Sequence, residues 1–278
     1  MFRCPVCAEP LAGPDSAGRP EPGPRSWCCD RGHTFDVARE GYVNLLVTHQ
    51  RRHRQPGDSA DMLRHRRAFL DAGHYRPLAE ALGRFAQSGR AVLDAGCGEG
   101  YYTRGWPSTR PGLRLWAVDI AKPAVRLAAR RGHPGASYAV ASVYDLPVVD
   151  SSIDVVVSIF APLVSEEFER VLRPGGLAVA VTPAPDHLDG LKARLFGHPD
   201  RHPDSGPFES PGADTRLHLD DSWRIRYQLD LVTPESIADL LGMTPYAWYV
   251  SPEARCEVAG TGPLSTTVDF RIWAYRLA

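Results

Sequence analysis

Residues 91 to 103 read Ala-Val-Leu-Asp-Ala-Gly-Cys-Gly-Glu-Gly-Tyr-Tyr-Thr, a short apolar run that ends in an acid and a string of alternating glycines. Val92 and Leu93 read as a buried strand, and Gly96, Gly98 and Gly100 as the turn leaving it. Glycines at that spacing admit positive φ and let a ligand approach main-chain atoms that a Cβ would screen. The stretch therefore reads as a ligand-binding turn at the carboxyl end of a strand. A dinucleotide fingerprint would run G-x-G-x-x-G, and counting from Gly96 and Gly98 its third glycine falls on Tyr101, which counts against NAD.

The pattern that is present, Asp94-x-Gly96-x-Gly98-x-Gly100, resembles motif I of the class I methyltransferases that bind S-adenosylmethionine. The resemblance implies a turn packed against the methionine end of that cofactor, with Asp94, Gly96, Gly98, Glu99 and Gly100 as contacts. The next strand, Leu113 to Val118, ends in Asp119, placed where a carboxylate can accept hydrogen bonds from two ribose hydroxyls.

Downstream, the elements alternate as they do in βαβ units. Tyr101 to Trp106 begins a helix that Pro107 and Pro111-Gly112 cut short. Pro123 to Arg131 reads as a helix stopped by Gly132, and Ala136 to Val140 as a third strand. Ile153 to Phe160 is a continuous apolar run of the kind buried on both faces of a parallel sheet. Glu166 to Val171, Arg173 to Gly176 and Leu177 to Thr182 follow as helix, turn and strand. Gly197 to Asp221 lacks periodicity and reads as a lid or substrate loop. Trp223 to Leu231, Pro234 to Leu241 and Thr266 to Leu277 complete the count with a strand, a helix and a strand whose apolar residues alternate at Val268, Phe270, Ile272 and Ala274. The expected fold is α/β, a Rossmann-like doubly wound seven-stranded sheet, with a small metal-binding module in front of it.

That module rests on Cys4-Pro-Val-Cys7 and Cys29-Asp-Arg-Gly-His33. Three thiolates and an imidazole suit a tetrahedral, structural Zn²⁺, and so short a segment has too little apolar content to fold without a crosslink. Cys28 could replace Cys29; the spacing to His33 favours Cys29. Six cysteines without a signal peptide's apolar core point to metal rather than disulfides, and to a cytoplasmic, soluble protein. The expected division is a zinc module over residues 1–48, a basic linker and helix over 49–76, and a methyltransferase domain over 77–278.

The 278 residues carry 32 Lys plus Arg against 33 Asp plus Glu, so overall charge does not announce a nucleic-acid binder. The charge is local instead. Residues 49–76 hold seven Arg, four His and three Asp; Arg51, Arg52 and Arg54 with Pro56-Gly57 read as a loop able to track a phosphate backbone. Asp58 and Ser59 can cap a helix that starts near Ala60 and buries Met62, Leu63, Phe69 and Leu70, with Gly73 past its end.

Taken in order, Cys-x-x-Cys, Cys-x3-His-x-Phe-Asp, Glu40-Gly-Tyr-Val-Asn-Leu-Leu46, Pro56 to Ala60, Arg67 to Tyr75 and Leu93 to Thr103 resemble the RlmA/TlrB family of 23S ribosomal RNA guanine-N1 methyltransferases. The resemblance implies that Tyr75 and His187 contact the cofactor and that Ser142 or Val143 lies beside the adenine. It also implies a homodimer that receives a 23S rRNA hairpin, helix 35, and, in the TlrB branch, resistance to tylosin-type macrolides. Ala161-Pro-Leu163 stands where amino-methylating enzymes often carry Asn-Pro-Pro-aromatic, so the acceptor base is not held by that device. No general base can be named from the sequence. The competing reading is a small-molecule methyltransferase of antibiotic biosynthesis.

Overall fold

The computed structural model describes residues 1–13, 26–47, 57–198, 201–209 and 214–278. An eight-stranded sheet runs in the order β3 (Tyr42–Asn44), β6 (Ala136–Val140), β5 (Arg114–Asp119), β4 (Ala91–Ala95), β7 (Ile153–Ile159), β8 (Leu172–Pro183), β10 (Leu264–Leu277) and β9 (Leu217–Leu231). The first six run parallel and only β10 runs against them, pairing antiparallel with both β8 and β9, in the doubly wound sheet expected. All seven expected strands are present, and β3 adds an eighth from within the N-terminal module.

The central strands are apolar throughout because both faces are covered. Along β7, Val155 and Val157 enter one core with Leu78, Leu82 and Leu240, while Val156 enters the other with Phe168, Phe2 and Val43. The strand's two-residue period makes that division. Helices α1 (Ala60–Asp71), α2 (Arg76–Leu82) and α7 (Pro234–Met243) lie over the first face, and α5 (Ser165–Val171) over the second with the N-terminal residues. Helix α4 (Lys122–Arg130) buries Val125 and Ala128 against Ala117 and Tyr138. Phe2 is fully buried and packs edge-on to Trp27 at 5.2 Å, so the core continues from the knuckle into the sheet.

Three local differences have clear causes. Pro107 does not end the helix after the glycine turn; it sits in the first turn of α3 (Trp106–Thr109), where its missing N–H costs nothing, and residues 101–105 are turns. In β10 the expected alternation gives way to continuous burial from Thr266 to Phe270, because both faces of the strand are covered: Val268 and Phe270 enter one core, and Trp273 and Tyr275, on the opposite face, the other. Strand β9 begins at Leu217, inside the stretch expected to be a loop. The chain also forms α6 (Asp189–Phe196) and α8 (Pro252–Gly260). No helix among the described residues is long and apolar enough to cross a membrane.

Candidate functional site

The carboxyl ends of β4, β5, β7 and β8 open into a cavity of about 720 Å³. Doubly wound sheets bind ligands at this edge. Helix α1 closes one side through Met62, Arg66 and Leu70, and residues Met243 to Tyr246, at and just past the end of α7, contribute to the wall. Ser59 caps α1 by accepting from the Met62 amide at 3.2 Å, as its position before the apolar face leads one to expect. His65 Nδ1 lies 2.7 Å from Asp239 Oδ1, which ties α1 to α7.

The glycine turn lines the opposite wall. Gly96 has φ +87°, and its amide and that of Cys97 both donate to Val118 O, at 2.8 and 2.9 Å. A Cβ on Gly96 would stand 2.3 Å from Ala161 Cβ, so only glycine lets the turns after β4 and β7 touch. The Gly98 amide donates to Asp119 Oδ2 at 2.8 Å, and the Ala121 amide to Oδ1 at 2.8 Å. Each Asp119 oxygen thus keeps acceptor capacity for a hydroxyl pair.

Asp94 is 3% exposed. Its Oδ2 accepts from Thr103 Oγ1 at 2.5 Å, while the buried Oδ1 has no partner. Burial pushes its pKa to about 7, against the pull of Thr103 and with a push from Asp119. An unpartnered acceptor at the turn suits an ammonium or sulfonium-bearing ligand, and this donor set therefore fits the methionine end of S-adenosylmethionine. Glu99 is similarly buried and both its oxygens lack partners; Arg131 Nη1 stands 3.8 Å away, and burial raises the carboxyl pKa.

Tyr75 and His187 meet across the cavity floor. Tyr75 packs edge-on to Phe69 and Phe270, at 5.1 and 4.9 Å. The His187 ring lies 4.6 Å from Phe270 and 6.3 Å from Tyr75. The Asp269 amide donates to His187 Nδ1 at 3.3 Å, which leaves the ring proton on Nε2. Burial lowers this histidine's pKa to about 3, so it is neutral. Asp269 in turn holds Arg224 through two bonds of 2.8 and 2.7 Å.

Tyr75, Asp94, Gly96, Gly98, Glu99, Asp119, Ser142, Val143 and His187 all line this one cavity. Gly100 is the exception. Its amide closes the turn onto Cys97 O at 2.9 Å, and a Cβ there would meet Ala128 of α4 at 3.4 Å, so its part is helix packing behind the turn. Sequence reasoning missed Arg66, Phe160, His202 and the wall from Met243 to Tyr246. None carries a local signal, because remote segments bring each one to the cavity.

The metal ligands converge as well. One atom each of Cys4, Cys7, Cys29 and His33 lies within 4.8 Å of the other three, with Cys29 Sγ 3.3 Å from His33 Nδ1. Cys28 points away: its exposed thiol faces Ser26 and Thr34. Side chains alternate along β1 (Ser26–Cys28), which pairs with β2 (Thr34–Asp36), so neighbouring cysteines leave on opposite sides. A Cys3His set of this compactness fits a structural Zn²⁺.

The basic stretch divides. Arg51, Arg52 and Arg54 lie outside the described residues. Within and before α1, Arg64 pairs with Asp61, Arg66 with Asp58 and Arg67 with Asp71, so its own three aspartates offset much of the described charge.

Comparison with known proteins agrees with this geometry. A profile for the RlmA N-terminal zinc ribbon matches residues 2–54, and one for a methyltransferase domain matches residues 93–180. A putative 23S rRNA (guanine-N(1)-)-methyltransferase of Micromonospora griseorubida is 37% identical over 99% of this chain and 97% of its own length. The 23S rRNA (guanine(748)-N(1))-methyltransferase of Streptomyces fradiae is 36% identical over 98% of this chain and 95% of its own. A putative Bacillus subtilis enzyme of the same kind is 30% identical over 98% and 95%. The zinc ribbon, the methyltransferase sheet and end-to-end identity with these enzymes together establish that the chain belongs to the RlmA/TlrB family of 23S rRNA (guanine-N1)-methyltransferases.

Proposed function

We propose that this protein transfers a methyl group from S-adenosylmethionine to N1 of a guanine in the helix 35 hairpin loop of 23S rRNA. The target is the position equivalent to guanine 748, and tylosin-type resistance follows from it. The observation that carries this reading is the match to the Streptomyces fradiae enzyme, whose name states that position and which aligns over 98% of the chain.

The cofactor supplies an electrophilic methyl on a sulfonium. Alignment and exclusion of water then fall to the protein. Asp94 would hold the donor's ammonium, the missing Cβ atoms of Gly96 and Gly98 would leave room for its methionine chain, and Asp119 would take the ribose hydroxyls. Ser142 and Val143 would flank the adenine, with Tyr75 and His187 as the floor beneath. Glu99 reaches the same cavity with its buried carboxylate beside Arg131, and Gly100 supports the turn from behind. N1 of guanine is occupied in a Watson-Crick pair, so the base enters unpaired or flipped. The zinc module, with the basic residues 49–56, presents the hairpin, and two copies form the cleft that holds it. The enzyme acts in the cytoplasm.

The test is a labelled-methyl assay on unmodified 23S rRNA with primer-extension mapping. A reverse-transcription stop at the nucleotide equivalent to 748 is expected. A product on free metabolites alone would instead identify a small-molecule methyltransferase.

A further inference from the structure

At the end of β7, Phe160 has φ +54°, a left-handed conformation that a bulky residue rarely adopts. The ring is not hidden in compensation. Phe160 is 45% exposed and lines the cavity, with Phe270 behind it at 5.0 Å and Tyr102 beside it at 6.4 Å. Its neighbour Ala161 touches the turn at Gly96, so this strained aromatic borders the place where the donor's methionine end fits. Phe160 is thus held at the cavity wall by a turn that would be relaxed with glycine.

On the far side of the same row of rings stands His202. Its ring is 6.3 Å from His187, which lies 4.6 Å from Phe270. His202 lines the same cavity, and its Nε2, buried within the ring's packing, has no hydrogen-bond partner. Burial, with Lys192 adding to it, lowers the pKa of this ring and favours its neutral form. A buried imidazole nitrogen without a partner is costly unless a ligand completes it.

We propose that these two side chains form the subsite for the acceptor base: Phe160 stacks on the face of the extruded guanine, and His202 Nε2 takes the proton that leaves N1. The proposal rests on the function proposed above. Aromatic stacking of a nucleobase is worth on the order of ten- to a hundredfold in affinity. In the transfer, the N1–methyl bond forms while the carbon–sulfur bond breaks with its electron pair going to sulfur. The N1–H pair stays on nitrogen and the proton passes to Nε2. Methylated N1 is cationic until that proton leaves, so a weakly basic neutral imidazole is sufficient.

Full-length variants are compared on unmodified 23S rRNA, with donor affinity measured separately by calorimetry. Phe160→Leu, which keeps bulk without an aromatic face, is expected to raise KM for the RNA about tenfold or more and to leave donor Kd within about twofold. Phe160→Trp should restore wild-type KM. His202→Gln should lower kcat about a hundredfold with little change in KM. Wild-type KM in Phe160→Leu, or a donor affinity that falls in step with activity, would overturn the stacking role; wild-type kcat in His202→Gln would overturn the proton transfer. Phe160→Gly, whose backbone suits this φ, guards against misfolding: it should fold and yet bind RNA as poorly as Phe160→Leu. If the wild-type chain itself leaves rRNA unmethylated, the function fails rather than the subsite.

Discussion

Gly96 and Asp94 show how single atoms shape the cavity. Alanine at Gly96 would adopt φ +87° and bring its Cβ to 2.3 Å from Ala161. Gly96→Ala is expected to cost about 1–3 kcal/mol of stability and to weaken donor binding, seen as a lower Tm and a higher Kd by calorimetry. Asp94 behaves differently because its constraint is electrostatic. Burial lifts its folded pKa to about 7, above the ordinary 3.8, so the donor-free chain binds a proton there below about pH 7. Its ionisation therefore detracts from stability as pH rises from 3.8 through 7. A cation bound beside it draws the pKa back down. Donor binding at pH 6 should release a proton that binding at pH 8 does not, measured as the dependence of calorimetric heat on buffer ionisation enthalpy. Asp94→Asn should remove that dependence.

The metal knuckle and β3 act together as elements. Tyr42, Val43 and Asn44 pair with Tyr138, Ala139 and Val140, and Cys4, Leu11, Cys29 and Val43 share a core with Leu93, Val118 and Val156. A module wired into the sheet in this way cannot unfold alone without exposing the sheet's face. Cys29→Ser should therefore lose bound zinc and lower the Tm of the whole chain in one transition, while Cys28→Ser keeps both. Metal content by mass spectrometry alongside calorimetry checks this. A zinc-free chain with a separate early transition would show instead that the two parts fold independently.

Acid stability belongs to the whole molecule. His187 has a folded pKa of about 3 against 6.5 unfolded, through burial first and the nearby His202 and Lys192 next. Below pH 6.5 the unfolded chain takes up a proton that the folded chain refuses, so this group's contribution to stability falls as pH drops from 6.5 toward 3. By pH 5 the loss from His187 alone is about 2 kcal/mol. His74 and His202, also lowered by burial, shift in the same direction. Thermal melts between pH 5 and 7 should show this slope, and His187→Gln should flatten it.

Much of this arrangement is legible along the chain. The strand, acid and glycines of residues 91–103, the burial pattern of α1, and the zinc spacing are local: each depends on neighbours within one or two turns or on a two-residue period. Their positions in the structure follow from those local preferences. The place of Gly100 behind the turn rather than in the cavity, the joining of Tyr42–Asn44 to the sheet, and the arrival of Phe160 and His202 at one cavity were decided by tertiary structure. Each depends on how segments far apart in sequence pack at one edge of a sheet, and side-chain periodicity does not encode which remote partner will be there.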